Sequence, residues 1–265
     1  MLKISVITVC YNSERYIKNT IESVLNQTYH NIEYIIIDGN STDSTINIIQ
    51  QYLSRISYFV SEPDKNMYDA INKGMKKATG DYIAILNSDD FYLNEHVIER
   101  LVDELKKEKN SYSGIYGNLL KYDADNKFIK KKKGIPTNYK TLLCSKKLTF
   151  VGHGTLFVSR SACLKAGDYD YVNLKAAADY DYVLRLFSQN RFKYSDVDIM
   201  GFRVHSESIT SSGAINEEIN FVLRKNSYDK IPYVYRKMLF LVSWGHFVLR
   251  NIKYLKISNF RFLVK

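Results

Sequence analysis

Apolar positions in the first ninety residues switch repeatedly between two periods. Lys3–Val9 (KISVITV) is a short β-branched run, the signature of a strand buried on both faces. Ser13 is placed to cap a helix in which Ile17, Ile21, Val24 and Leu25 recur at helical spacing. Ile32–Asp38 (IEYIIID) predicts a second strand, and Asp43 a cap before Ile46, Ile49 and Leu53. Ile56–Ser61 (ISYFVS) predicts a third strand. Asp64 then precedes a helix marked by Ala70, Ile71, Gly74, Met75 and Ala78, and Tyr82–Leu86 (YIAIL) predicts a fourth strand. Strands alternating with helical patterns predict βαβ units on a parallel sheet. Ligands of such sheets bind beyond the carboxyl ends of the strands. The loops Cys10–Ser13, Asp38–Asp43, Glu62–Asn66 and Asn87–Asp90 are therefore where chemistry is expected.

Beyond Asp90 the pattern loosens. Val97, Ile98, Leu101, Val102 and Leu105 predict a helix, Ile115–Tyr122 and Thr155–Ser159 strands, and Ala176–Leu186 a helix. Lys127–Lys133 contains four consecutive lysines, which read as a solvated loop or a hairpin edge. From about Glu217 onward the chain is basic, aromatic and helical in pattern. Neither an internal repeat nor a low-complexity linker is present.

Composition narrows the classes. A chain of 265 residues with 45% hydrophobic content can bury a core without disulfide or metal staples. Cys10, Cys144 and Cys163 are odd in number, widely spaced and without a CxxC pair, which excludes a disulfide scaffold or a cysteine zinc site and suits a reducing cytosol. The start of the chain lacks secretory-signal character, and no run of about 18 apolar residues predicts a membrane span. The tyrosine content of 22 suits polar pockets and interfaces as readily as a core. A net charge of +10 permits a basic nucleic-acid-binding module, but no recognised nucleic-acid motif accompanies it.

Each strand-end loop carries a carboxylate. Asp43 and Asp64 fit helix caps as well as site residues. The adjacent Asp89 and Asp90 repel each other unless a cation or donors intervene, and a hard divalent cation bridging them to a diphosphate would relieve that repulsion. A nucleotidyltransferase would also use such a sheet. It would want a glycine-rich phosphate loop with a basic residue after the first strand, and Cys10-Tyr11-Asn12-Ser13 is not one.

The segments SVITVCYN (Ser5–Asn12), IDGNSTDST (Ile37–Thr45), SEPDKNMYDAINKGMKKATGDYIAILNSDD (Ser61–Asp90) and AADYDYVLRL (Ala177–Leu186) together resemble glycosyltransferase family 2. The resemblance is to the bacterial surface-polysaccharide branch with a SEPDxGIYDAMNKG-type motif, and it covers roughly residues 3–205. It implies a GT-A fold: a Rossmann-like, mostly parallel α/β sheet flanked by helices. It also implies a nucleotide-diphosphosugar donor with uridine as the expected base, a divalent metal (Mn²⁺ or Mg²⁺), inversion at the anomeric carbon, and a glycan or lipid-linked acceptor. By the same resemblance Thr8, Cys10 and Tyr11 fall in the nucleobase-facing loop. Asp38 matches the first acid of the family's Asp-Asp-Gly-Ser, with Gly39 replacing the second. Asp64, Asp69, Asn72 and Lys73 match the branch motif and would line the nucleotide and diphosphate. Asn87-Ser88-Asp89-Asp90 stands for Asp-x-Asp-Asp, with Asp90 the first expected metal ligand and Asp89 the second, the latter also facing the donor. Asp179 matches the catalytic base, and Ala178 replaces the Glu before it. Asp181 reads instead as an i,i+4 partner of Arg185. His153 resembles an acceptor-facing position, and His205 could reach the metal or the leaving phosphate; a satisfied polar role is open to both.

The resulting organisation is a catalytic domain over 1–210, divided into a nucleotide-sugar half (1–90) and an acceptor half (91–210), with a helical extension over 211–265. From Phe221 to the end there are ten basic residues against the single acid Asp229, leaving net +9. Met238–Leu249 (MLFLVSWGHFVL) lies between the basic clusters. Twelve helical residues span about 18 Å, too short to cross a membrane. The segment therefore either packs on the catalytic domain or lies in a membrane interface, aromatics at headgroup depth and cations against anionic lipid. The second reading places the enzyme in the cytoplasm, peripheral at the inner face of the membrane.

Overall fold

The computed structural model describes residues 1–108, 111–146, 148, 150–204 and 215–251, and within the last stretch leaves out the side chains of residues 243, 246, 247, 250 and 251. In chain order the elements begin β1 (Ile4–Cys10), α1 (Ile17–Leu25), β2 (Ile32–Asp38), α2 (Thr45–Gln50), β3 (Tyr58–Ser61), α3 (Met67–Lys77), β4 (Tyr82–Ile85), β5 (Phe91–Tyr92) and α4 (Val97–Lys107). They continue with β6 (Gly114–Asp123), β7 (Phe128–Lys132), α5 (Tyr139–Ser145), β8 (Phe157–Ser159), α6 (Arg160–Ala166), α7 (Ala178–Gln189), β9 (Phe192–Val204), α8 (Ile215–Lys225) and α9 (Tyr233–Asn251).

One sheet runs through the molecule in the order β3-β2-β1-β4-β8-β6-β9-β5, with β7 paired to β6. The first four of these strands are mutually parallel, and β6 pairs β9 in parallel; the remaining pairings are antiparallel. Strand alternation divides the core in two. Ile7, Val9, Ile35, Ile37, Ile83 and Ile85 pack with α3 and α7, while Val6, Tyr34, Ile36 and Ala84 pack with α1 and α4 on the other face. The α3 backbone lies so close to β1 that a Cβ on Gly74 would come 2.5 Å from Ile7 Cγ2, which excludes a larger residue there.

The β-branched runs and the helix spacings place β1 to β4 and α1 to α4 as expected, whereas the caps differ. Ser13 donates its hydroxyl to the Tyr11 carbonyl and makes no cap to α1. The α3 cap is Asn66, whose Oδ1 accepts from the Tyr68 and Asp69 N–H groups, so Asp64 is not consumed as a cap. Asp43 does bond the first turn of α2, through Thr45 N–H, and also takes the Glu14 N–H. The lysine run is the β7 hairpin edge, with Lys131 ion-paired to Asp198 of β9 at 2.5 Å.

The extension expected from residue 211 begins, among the described residues, with a helix built into the core. Val222 and Leu223 of α8 are buried in the cluster that holds α7. Exposure rises from Tyr233, where α9 packs against α5 and turns Val234, Met238, Leu241, Val242 and Leu249 outward. No helix among the described residues is long and apolar enough to cross a membrane.

Candidate active site

Sheet register builds the site. Cys10 lies opposite Asp38, and Asp38 opposite Ser61, so the carboxyl ends of β1, β2 and β3 are level. Asp38 is fully buried there. Its two oxygens accept from the Ser41 N–H (2.9 Å), the Ser41 hydroxyl (2.5 Å), the Ser61 hydroxyl (2.6 Å) and, more weakly, the Cys10 thiol (3.4 Å). The carboxylate is spent on tying three loops together. Asn12 and Asn40 take left-handed backbone conformations beside it, which asparagine tolerates better than most residues. Thr8 is also buried, within 3.1 Å of the Tyr34 hydroxyl. Cys10 packs inward with it, and burial pushes its thiol well up. Of Thr8, Cys10 and Tyr11, expected to face the nucleobase, Tyr11 is the exposed one, at 63%.

Gly39 opens a gap beside Tyr11. A Cβ there would approach Asp64 Oδ2 to 3.3 Å and Tyr11 Cβ to 3.5 Å. Asp64 Oδ1 pairs with Lys73 Nζ at 2.6 Å, while Oδ2 is buried without a hydrogen-bond partner. Burial raises the proton affinity of Asp64, and Lys73 only partly offsets it. Lys73 also pairs with Glu62 at 2.8 Å. Asp69 accepts the Lys65 N–H at 3.0 Å and so closes the turn that holds Asp64. Asn72 is buried and makes a two-way amide bridge to the backbone of Tyr169, at 2.9 and 2.8 Å. It joins the nucleotide half to the loop before α7.

The turn after β4 carries the expected metal motif. Asp90 is 1% exposed, accepts the Arg203 N–H at 3.3 Å, and is driven well above the usual carboxylate range by burial and then by Asp89. It faces the interior. Asp89 is the partly exposed member of the pair. In the same turn Asn87 Oδ1 is a buried carbonyl oxygen without a hydrogen-bond donor. A carboxylate and an unpaired amide oxygen are hard donors that fit Mg²⁺ or Mn²⁺, ions that usually complete their shell with phosphate and water. Among the described residues no group of three or more His, Cys, Asp or Glu side chains gathers as a metal cage. His205, the third expected ligand, lies outside the described residues.

Asp179 occupies the first turn of α7, half-buried, and accepts the Tyr180 N–H at 2.7 Å. Burial is the main cause that raises its pKa to about 6, against backbone hydrogen bonds that lower it. Asp181 points the other way and is fully buried between Arg185 (2.8 Å) and Lys225 (2.9 Å), the structural pairing expected of it. His153 donates to or accepts from the Tyr169 hydroxyl at 2.7 Å, and burial lowers it to about 4, so its ring is neutral. Tyr169 stacks on Tyr68 and Tyr182, which links His153, α3 and α7.

Two residues without a motif complete the arrangement. The guanidinium of Arg203, 1% exposed, donates to the Asp89 carbonyl from beneath the acidic turn. Glu218 of α8 accepts three successive backbone N–H groups just before α7.

The Glycosyl transferase family 2 model matches residues 5–166. An uncharacterised glycosyltransferase of Mycobacterium tuberculosis is 32% identical over 185 residues, 69% of this chain and 68% of its own. The chondroitin synthase of Escherichia coli is 29% identical over 232 residues, 86% of this chain and 33% of its own. An uncharacterised glycosyltransferase of Rickettsia conorii is 29% identical across 97% of this chain, which spans only 44% of that relative. The chain belongs to glycosyl transferase family 2. Its GT-A architecture matches Staphylococcus aureus TarS in complex with UDP-GlcNAc, with a TM-score of 0.63 at 18% identity, over all of this chain and 76% of that one. It also matches the mannosyltransferase PcManGT of Pyrobaculum calidifontis in complex with GDP-Man and Mn²⁺, with a TM-score of 0.62 at 16% identity, over 92% of this chain and 70% of that one.

Proposed function

We propose that this protein is an inverting glycosyltransferase that moves a sugar from a nucleotide diphosphate to a hydroxyl of a glycan or lipid-linked acceptor. The observation that carries the reading is the placement of Asp179. It is a carboxylate with proton affinity raised toward neutrality, in a loop–helix unit bonded to the nucleotide half through Asn72 and Tyr169. A base is most effective when its pKa approaches the working pH. Asp179 takes the acceptor proton as the acceptor oxygen bonds to the anomeric carbon. The bond from that carbon to the diphosphate breaks on the opposite face, and its electron pair leaves with phosphate.

On the donor side, Tyr11 offers a face for a base to stack on. The unpaired Asp64 Oδ2 beside Gly39 offers an acceptor for a base N–H such as the imide of uracil. Lys73 and Asp69 line the diphosphate side, while Thr8, Asp38 and Asn72 shape the loops. A divalent cation held by Asp89 and Asn87 would supply positive charge against the departing diphosphate. The complexes of TarS with UDP-GlcNAc and of PcManGT with GDP-Man and Mn²⁺ are in keeping with this class of donor and cation.

The donor is tested by thermal shift with UDP- and GDP-sugars, with and without Mn²⁺, because a ligand bound only by the folded state raises the melting point. A UDP-sugar is expected to do so only with metal, and Asp89→Ala to lose that response along with most transfer activity. A wild-type response and rate that persist in excess chelator would remove the metal from the reading. Inversion is read from the anomeric configuration of the product by NMR.

A role in cell-surface polysaccharide synthesis at the inner membrane face is part of the same proposal, supported by α9. Its outward apolar residues Val234 (77% exposed), Leu241 (63%) and Leu249 (69%) stand in a segment almost free of acids. Such a helix suits the interface of an anionic bilayer. Full-length protein should float with anionic vesicles and be released in part by salt. A Val234→Glu/Leu241→Glu variant should remain in the dense fraction, and equal flotation of the two would remove this placement.

A further inference from the structure

The geometry points to Glu218 as a positioning residue for the base. This acid, supplied by α8, fixes the turn leading into α7 and neutralises that helix's positive end beside Asp179. The inference rests on the reading of Asp179 as the base.

A helix N-terminus leaves several backbone N–H groups without partners. In α7 the N-cap position supplies no cap: the N-cap residue is Ala177 and the next is Ala178, neither with a side chain that can accept an N–H, and within the first turn Asp179 takes the Tyr180 N–H. The donors of the turn leading into the helix, down to the N-cap, are satisfied from elsewhere. Glu218 Oε1 accepts the Lys175 N–H at 3.0 Å, and Oε2 accepts those of Ala176 and Ala177 at 2.8 and 2.9 Å. Three consecutive N–H groups converging on one carboxylate form a backbone anion nest. A second attachment prevents α8 from drifting. Lys225, two turns further along, reaches Asp181 at 2.9 Å, and Val222 and Leu223 between them are buried.

The charge of Glu218 matters as well as its reach. An aspartate in the first turn of a helix sits in a field that favours its ionised form and lowers its pKa. Asp179 departs in the opposite sense, with burial as the main cause and the Glu218 charge as a further one. The titratable groups facing Asp179 are Tyr68 of α3, Tyr169 of the preceding loop and Glu218 of α8. The nearby cations Arg185 and Lys225 are committed to Asp181. Glu218 thus opposes the helix field where the base needs to hold a proton during transfer.

The test uses the full chain and three variants, each assayed for kcat and donor KM across pH. Glu218→Gln keeps size and loses charge. Its acid limb of kcat should move down by about half a pH unit, the scale of a first-turn charge effect. Its kcat should fall roughly tenfold as the base loses its fixed position, with donor KM little changed. Amide exchange at residues 175–177 should accelerate. Glu218→Asp keeps the charge and shortens the reach, so kcat should drop while the acid limb stays in place. It also carries the test should the Gln variant fail to fold. Glu217→Gln, on an exposed neighbour, is the control. Wild-type kcat and an unmoved acid limb in folded Glu218→Gln, or wild-type kcat in Glu218→Asp, overturns the inference. Asp179→Asn, run alongside, separates the two levels. If it is inactive while the Glu218 variants behave as wild type, only the role of Glu218 falls; if it is active, the base assignment falls and the inference falls with it.

Discussion

Asp179→Asn is expected to lower transfer by about 10²–10⁴-fold, the range for loss of a positioned general base, while donor binding stays within a few-fold of wild type. The amide preserves the shape of the first turn of α7 and cannot take a proton. Asp181→Asn is the contrasting variant. It uncouples Arg185 and Lys225 from a buried acid, so its cost should appear in stability rather than in the chemical step. Asp179→Asn has a second signature, opposite in sign to that stability cost. The pKa of Asp179 is raised on folding from 3.8 to about 6. The folded protein therefore holds the proton more tightly than the unfolded chain does, and ionising Asp179 at neutral pH costs stability. That cost is full above pH 6 and vanishes below about pH 4, where both states are protonated. Asp179→Asn should then melt at a higher temperature than wild type at pH 7.5, with the gain shrinking toward pH 4. In wild type, kcat should fall as pH drops through about 6. An active Asp179→Asn, or one that melts lower at pH 7.5, contradicts the assignment.

The legible part of this protein is the part in which chemistry follows from local pattern. Alternation between β-branched runs and helical spacing fixed β1, β2, β3, β4, α3 and α4, and the loops at the carboxyl ends of those strands carry Tyr11, Asp38, Asp64 and Asp89. The strand Phe192–Val204 was not legible because it reads as polar. Its Asp196 and Asp198 face Lys133 and Lys131 of the neighbouring hairpin and are paired only once β7 is folded beside it. A carboxylate inside a strand also proved affordable: Glu33 of β2 is buried, yet bonds from Lys3, Ser5 and Thr79 outweigh desolvation and hold it at about 2. Which of Asp89 and Asp90 is the buried one could not be read from adjacency, since the two acids face different environments and only the fold supplies the interior one with an N–H donor. Glu218 was invisible for a related reason. Its partners are backbone groups about forty residues earlier, and no side-chain motif records them.

Arg203 is the second residue whose loss should be large. Its guanidinium is sandwiched between the rings of Tyr16 (4.9 Å) and Phe91 (4.6 Å). Nε donates to Asn126 Oδ1 at 2.8 Å and Nη2 to Asn19 Oδ1 at 2.5 Å, while Nη1 donates to the Asp89 carbonyl. One planar fork thus joins α1, the β6–β7 turn and the acidic turn, and its own backbone N–H holds Asp90. Lysine keeps the charge but offers a single ammonium in place of the fork and stacks poorly between rings. Arg203→Lys should therefore fold with a lowered melting point and release the turn that carries Asp89. Donor and metal binding should weaken together, with kcat/KM down by about 10²-fold, the scale of a 1 Å misplacement. Arg203→Leu leaves the Asn19, Asn126 and Asp89 oxygens without their donors, at a cost of about 1–3 kcal/mol for each that stays unsatisfied. It should expose the protein to unfolding near ambient temperature. The two kinds of defect are separable: a base mutant loses kcat with donor affinity intact, whereas Arg203→Lys should lose donor affinity first. Wild-type melting and wild-type donor KM in Arg203→Lys would show that the acidic turn holds its shape without the fork, and that Asp89 owes its position to the turn itself.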